Sequence, residues 1–174
     1  MSDFLKNYKK EIFPISLILI LALARLIPHP PNFTPIVAVA IMSSCFFRNM
    51  YLSFAVIIAS MLLADVFIGF YNNMFFVYLS LLLIAFIFFK ISTKMKLQNL
   101  FIFAFLGSVI FFLISNFGVW ILGDMYEKNL NGLAYCYFLA LPFFVNTVLS
   151  SIIFTYSAFI ANNLFSKNRS LLSE

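Results

Sequence analysis

Few side chains in this sequence could do chemistry, and they lie far apart. There is one His, His29, and there are two Cys, Cys45 and Cys136. A structural zinc site takes about four nitrogen or sulfur ligands, so no metal centre is expected. A disulfide framework is not expected either, because the two cysteines fall near opposite ends of their helices, beyond bridging distance. Cys136 reads as a small buried apolar residue or as a soft ligand for a metal-containing solute. The P-loop pattern is absent, so any ATP chemistry must come from a partner. Paired carboxylates and a Ser/His/Asp set are missing from the apolar stretches. His29 with Cys136 is the only conceivable base and nucleophile. The chain therefore reads as a non-enzyme without a cofactor.

What remains is a group of polar residues set inside or just above apolar runs: Arg25, His29, Asn32, Asp65, Asn116, Trp120, Tyr135, Cys136, Tyr137 and Asn146. An ionisable or amide side chain inside a membrane is costly, so each is a candidate site residue. Their meaning depends on the elements that hold them.

Composition says what those elements are. The 174 residues are 64% hydrophobic and 20% aromatic, with 25 Phe, and only 10% are charged. Soluble domains are roughly 45–50% apolar and about 25% charged. A chain of this size could not hide so much apolar surface from water. A soluble enzyme and a nucleic-acid-binding domain are excluded, and the net charge of +5 is read by its position along the chain instead. Lys6, Lys9 and Lys10 precede an apolar run from Ile12 to Leu23. No small-x-small cleavage site follows, so that run reads as a retained helix.

A membrane-crossing helix needs about 20 mostly apolar residues. Clear runs occupy 12–27, 73–91, 99–122 and 135–165. The stretch 35–70 is one long helix or two, broken at Phe47-Arg48-Asn49-Met50. The positive-inside rule favours two, 35–47 and 51–70. Six spans with both termini in the cytoplasm place nine basic residues inside (Lys6, Lys9, Lys10, Arg48, Lys90, Lys94, Lys96, Lys167, Arg169) and two outside (Arg25, Lys128). Five spans would strand Arg48 in lipid, at roughly 2.5–3.5 kcal/mol, and would divide the remaining charges nearly evenly. The expected architecture is an all-α membrane bundle of six helices, N-in and C-in. Short cytoplasmic tails, 1–11 and 166–174, flank a single domain over 12–165.

Two outer loops stand out. Ile27 to Pro35 carries four prolines, which exclude helix and hold the loop extended. Gly123 to Gly132 is polar and mildly acidic. Pro142, inside the last span, is expected to free a carbonyl near mid-membrane.

In this topology nearly all the intramembrane polar residues collect in one outward layer. That layer predicts a pocket open to the outside and closed toward the cytoplasm. Arg25 and Asp65 then recognise polar or charged groups of a solute, or form a structural ion pair. Arg25 snorkelling to the interface is a further reading. Asn116 and Asn146 hydrogen-bond the solute or only bridge helices. Trp120 with Tyr135 or Tyr137 stacks on a flat ring, or Trp120 joins an aromatic belt. His29 faces the pocket mouth or is a solvated loop residue. The competing class is an assembly subunit without a solute, in which the polar layer only holds helices together.

Four segments carry a family resemblance: ARLIPHPPNFTPI (24–36), MLLADVFIGF (61–70), SNFGVWILGDMY (115–126) and NGLAYCYFLALPFFVNTVLSS (131–151). Over about residues 24–160 the chain resembles a bacterial family of small, uncharacterised membrane proteins assigned to transport. That family is similar to the S components of energy-coupling-factor (ECF) vitamin transporters. The resemblance implies a six-helix S-component-like bundle in the bacterial inner membrane, surrounded by lipid, with a pocket capped by the loop after the first span. It implies a small vitamin-like solute as ligand, and an ECF scaffold subunit and ATPases as partners. The matching positions are His29, Pro30, Pro31, Asn32, Asp65, Asn116, Trp120, Cys136 and Pro142. The Ala-x-x-x-Ala pattern with which S components dock their scaffold is not matched by Ala22 and Ala24.

Overall fold

A computed structural model describes residues 2–47, 49–91 and 96–171, with side chains described over 12–165 of these. The described residues form six α-helices and no strand. They are α1 (Ser2–Leu23), α2 (Ile36–Phe46), α3 (Met50–Ile68), α4 (Met74–Ile91), α5 (Leu100–Leu122) and α6 (Leu130–Leu171). Four segments are long and apolar enough to cross a membrane: Met50–Ile68, Met74–Ile91, Leu97–Leu122 and Leu130–Phe165. Ile12–Leu26 and Ile36–Phe46 are shorter apolar helices. Arg48 and Lys94, two of the charges used in the topology count, lie outside the described residues.

The helix ends follow local chemistry. α1 begins at Ser2, ten residues before the apolar run, and passes through Pro14. Hydropathy sets where a helix can meet lipid, whereas helicity needs only compatible residues, so the two starts differ. A short 3-10 turn, Ala24–Leu26, ends the segment. The chain leaves helix at Phe47 and re-enters at Met50, where the Asn49 side chain accepts from the Tyr51 and Leu52 amides. Such an N-cap satisfies amides that a helix start leaves free. α3 stops at Gly69, whose N–H still donates to the Asp65 carbonyl and whose φ of 101°, which suits glycine, then turns the chain out of the helix. The Asn129 side chain accepts from the Gly132 amide at 2.8 Å and opens α6.

α2 is the hub of the bundle. Ile36 through Ser44 are all buried in this 11-residue helix, and it touches each of the other five. A helix that meets protein on every side need not match the thickness of a bilayer, which is why 11 residues, about 16 Å of rise, suffice. Around it the core is Ile18, Ile41, Met42, Phe47, Ile57, Met61, Leu81, Ile84, Phe88 and Leu100. Buried serines bring helices close: Ser53 Oγ donates to Ser43 Oγ at 3.1 Å, and Ser108 Oγ lies 3.0 Å from Ser151 Oγ. Small side chains at such crossings let helix backbones approach each other. The outer faces of α3 to α6 carry exposed Phe, Leu and Ile, among them Phe67, Phe75, Phe101 and Phe138. An exposed apolar shell around a polar-flecked core is what a lipid solvent requires.

Candidate functional site: a polar cavity at one end of the bundle

The polar layer forms where six helix ends meet. The C-terminal ends of α1, α3 and α5, the N-terminal ends of α2, α4 and α6, and their connections share one end of the bundle. A cavity of about 360 Å³ opens there, lined by Arg25, Asn32, Thr34, Tyr71, Asn73, Ser115 and Asn116 with Ile36, Val77, Phe111 and Val119. Beside it lies a second cavity of about 570 Å³, lined mainly by apolar groups such as Leu139, Ala140 and Phe143, together with Tyr126 and Cys136. Asn32, Asn116 and Val119 belong to both walls.

Arg25 and Asp65 anchor the first cavity. Arg25 Nη1 lies 2.9 Å from Asp65 Oδ1, with side chains 10% and 0% exposed. The same Nη1 donates to Met61 Sδ at 3.4 Å. The Asp65 contact is ionic rather than an in-line hydrogen bond, since Oδ1 has no hydrogen-bond partner. Asp65 Oδ2 accepts from the Tyr78 hydroxyl at 2.8 Å. So the ion pair is present, and Asp65 is wholly shut behind Arg25. Tyr71, in the turn between α3 and α4, has its phenol pushed up by burial and by the nearby Asp65 charge, with Arg25 acting in the opposite sense.

The proline loop departs from an extended course. The Phe33 amide donates to the Pro30 carbonyl at 3.0 Å, and Asn32 has φ 60°. A type II turn requires a positive φ at the third position, which asparagine tolerates, and favours proline at the second. The turn aims Asn32 at both cavities. Asn146 Nδ2 donates to the Pro31 carbonyl at 2.9 Å and fastens the loop to α6.

The other sequence candidates divide. Cys136 is buried on the second cavity, its thiol 3.6 Å from the Asn116 carbonyl. Asn116 Nδ2 donates to Phe112 O at 2.8 Å within α5. Tyr137 turns away: its hydroxyl donates to Leu113 O at 2.6 Å and its ring lines an apolar groove with Phe76 and Phe117. Tyr135 borders a third hollow with Glu127 and Tyr126. Trp120 Nε1 donates to Glu127 O at 2.9 Å, holding the loop after α5. Lys128 reaches over the Trp120 ring to the Trp120 and Gly123 carbonyls, where its charge suits a helix C-terminus. His29 is exposed, with Nδ1 2.9 Å from Pro30 O, and lines neither cavity. No cluster of three or more His, Cys, Asp or Glu exists among the described residues.

The structure adds Thr34, Tyr71, Asn73 and Ser115 to the site. Asn73 Nδ2 donates to Ser115 O at 2.9 Å, joining the start of α4 to α5. Its Oδ1 packs against Gly118, where a Cβ would come within 2.0 Å. The one available signal was the polar run Tyr71-Asn72-Asn73 between two apolar spans.

This fold and its apolar shell define a multi-pass helical membrane protein. The chain belongs to DUF6580, a family of unknown function, whose pattern matches residues 6–172. No curated protein and no solved structure matches it.

Proposed function

We propose that this chain is the solute-binding subunit of a bacterial inner-membrane uptake system, resembling an ECF S component. In this reading it crosses the membrane six times with both termini in the cytoplasm. The cavity end faces outward, and the end carrying Lys90 and Lys96 faces inward, following the positive-inside rule. The ligand is a small vitamin-like or cofactor-precursor molecule. ATP hydrolysis belongs to partner subunits, a membrane scaffold and ATPases. This chain carries no catalytic role.

The observation that carries the reading is the 360 Å³ cavity with seven polar side chains at one end of an otherwise apolar bundle. Its size falls within the roughly 300–1,000 Å³ of small-molecule sites. Polar groups that only tied helices together would need no hollow beside them. The loop Ile27–Pro35 and the loop Gly123–Asn129 overlie this end and are positioned to close over a bound molecule.

A thermal-shift screen of vitamins and their precursors tests the proposal. A ligand of the native state must stabilise it, by about 2.7 kcal/mol at a hundredfold excess over Kd. Stabilisation by one compound in the wild type, lost in Asn116→Leu, is the expected result. The second reading, an assembly subunit, draws on Asn73–Ser115, Tyr137–Leu113 and Asn146–Pro31, polar side chains bonded to backbone of other segments. It predicts that no compound stabilises the protein.

A further inference from the structure

We infer that the cavity selects an uncharged solute with an amide-like head and an apolar body, and that Asp65 sets this selectivity. The inference rests on the solute-binding reading and deepens it.

Consider the charges that a ligand would meet. Among the described residues lining the two adjacent cavities, Arg25 is the only Asp, Glu, Lys, Arg or His. It brings its own counter-ion, 2.9 Å away and 0% exposed. The pair is neutral as a unit. Asp65 is spent on Arg25 and on the Tyr78 hydroxyl and has no surface for a ligand. A cationic solute would therefore lose its hydration and find no free carboxylate. An anion would lose its hydration beside a guanidinium already partnered, and would repel Asp65 behind it. Against walls that include Val77, Phe111 and Val119, the hydration that an unpaired charge gives up outweighs such partial attraction.

Neutral hydrogen-bonding groups are well provided for. Asn32, Thr34, Tyr71 and Asn116 offer amides and hydroxyls, and the guanidinium has N–H groups beyond those that Nη1 turns to Asp65 and Met61. A head group that both donates and accepts matches this set. The second cavity, reached past Asn32 and Asn116, presents Val119, Leu139, Ala140 and Phe143, which suit an apolar or aromatic body.

Three probes of one shape separate the cases: benzamide, benzoate and benzylammonium. Each is titrated at millimolar concentration against the purified full chain in detergent, with unfolding temperature as the readout. The wild type is expected to be stabilised by benzamide and not by the two ions. Asp65→Asn keeps the side-chain shape but leaves Arg25 uncompensated at the cavity wall. Benzoate should then gain at least about tenfold in affinity, the scale of one charge-assisted hydrogen bond, and should overtake benzamide. The double variant Arg25→Gln/Asp65→Asn removes both charges and strands neither, so it remains informative if the single variant unfolds. It should keep the preference for benzamide.

The inference is overturned if the wild type prefers benzoate or benzylammonium, or if Asp65→Asn and the double variant leave the order of the three probes alike. In those outcomes the solute reading survives, because a ligand still binds. If no probe stabilises the wild type or either variant, this inference falls, while the solute reading stands or falls on the vitamin screen.

Discussion

Breaking the Arg25–Asp65 pair from either side should be costly, and breaking it from both sides at once should cost less than the sum. Asp65 is 0% exposed and Arg25 10%. Removing one partner of a buried pair costs about 3–5 kcal/mol, mostly because the survivor is left charged and unpaired. The two survivors are not equivalent. Arg25→Ala leaves the Asp65 carboxylate, the deeper of the two groups, reached by water only through the narrow recess vacated by the lost side chain and with only the Tyr78 hydroxyl donating to it, so its cost belongs at the upper end of that range. Asp65→Ala leaves Arg25 at a cavity wall, where water can reach the guanidinium. That cost belongs at the lower end, even with the lost Tyr78 bond, worth about 1 kcal/mol. The double variant strands no charge and should cost no more than the Arg25→Ala single. The coupling energy should then be at least about 3 kcal/mol, well beyond the roughly 0.3–0.5 kcal/mol scatter of independent sites. Reversible unfolding of the four proteins in mixed micelles measures it. Additivity within about 0.5 kcal/mol would refute the pairing. A larger loss for Asp65→Ala than for Arg25→Ala would refute the assignment of the cavity to the Arg25 side.

Gly118→Ala drives a Cβ to within 2.0 Å of Asn73 Oδ1 and 2.4 Å of Phe76 Cγ; overpacking plus the loss of the Asn73–Ser115 bond should destabilise by about 2–4 kcal/mol, read by the same unfolding assay. Asn146→Ala frees the Pro31 carbonyl; stability should fall by no more than about 1 kcal/mol, while hydrogen exchange at the Asn32, Phe33 and Thr34 amides should speed up. For the topology, with Cys45 and Cys136 replaced by Ala, His29→Cys should react with a membrane-impermeant maleimide in intact cells, and Gln98→Cys only after lysis; the reverse pattern would invert the orientation.

Much of the layout was legible because membrane insertion is a coarse physical test. The interruption near Phe47–Met50 follows from a polar pair between apolar runs, and Asn49 at that point is a good helix cap. Shared depth was enough to bring Arg25 near Asp65, and Asn32 near Asn116. Azimuth was harder. Cys136 and Tyr137 are adjacent in a helix, so they point about 100° apart, and depth alone does not say which of them faces the hollow. Cys136 meets the cavity and Tyr137 the groove on the far side. Trp120 is one turn beyond Asn116, yet its N–H is drawn to the Glu127 carbonyl, a contact fixed by the fold of the following loop. Asn73 escaped notice because it sits in a turn, and its partner carbonyl, Ser115, lies 42 residues away. The proline loop misled in a different way: four prolines restrict φ but still permit one tight turn when asparagine can take a positive φ.

Native mass spectrometry of the full chain, extracted gently from its own membranes, tests the solute-binding claim most directly. Val119 belongs to the walls of both cavities, so Val119→Trp should obstruct both without removing the ion pair. The account predicts a small-molecule mass on the wild type that is missing from Val119→Trp. A wild type bare of any such mass, or a mass held equally by both proteins, would contradict it.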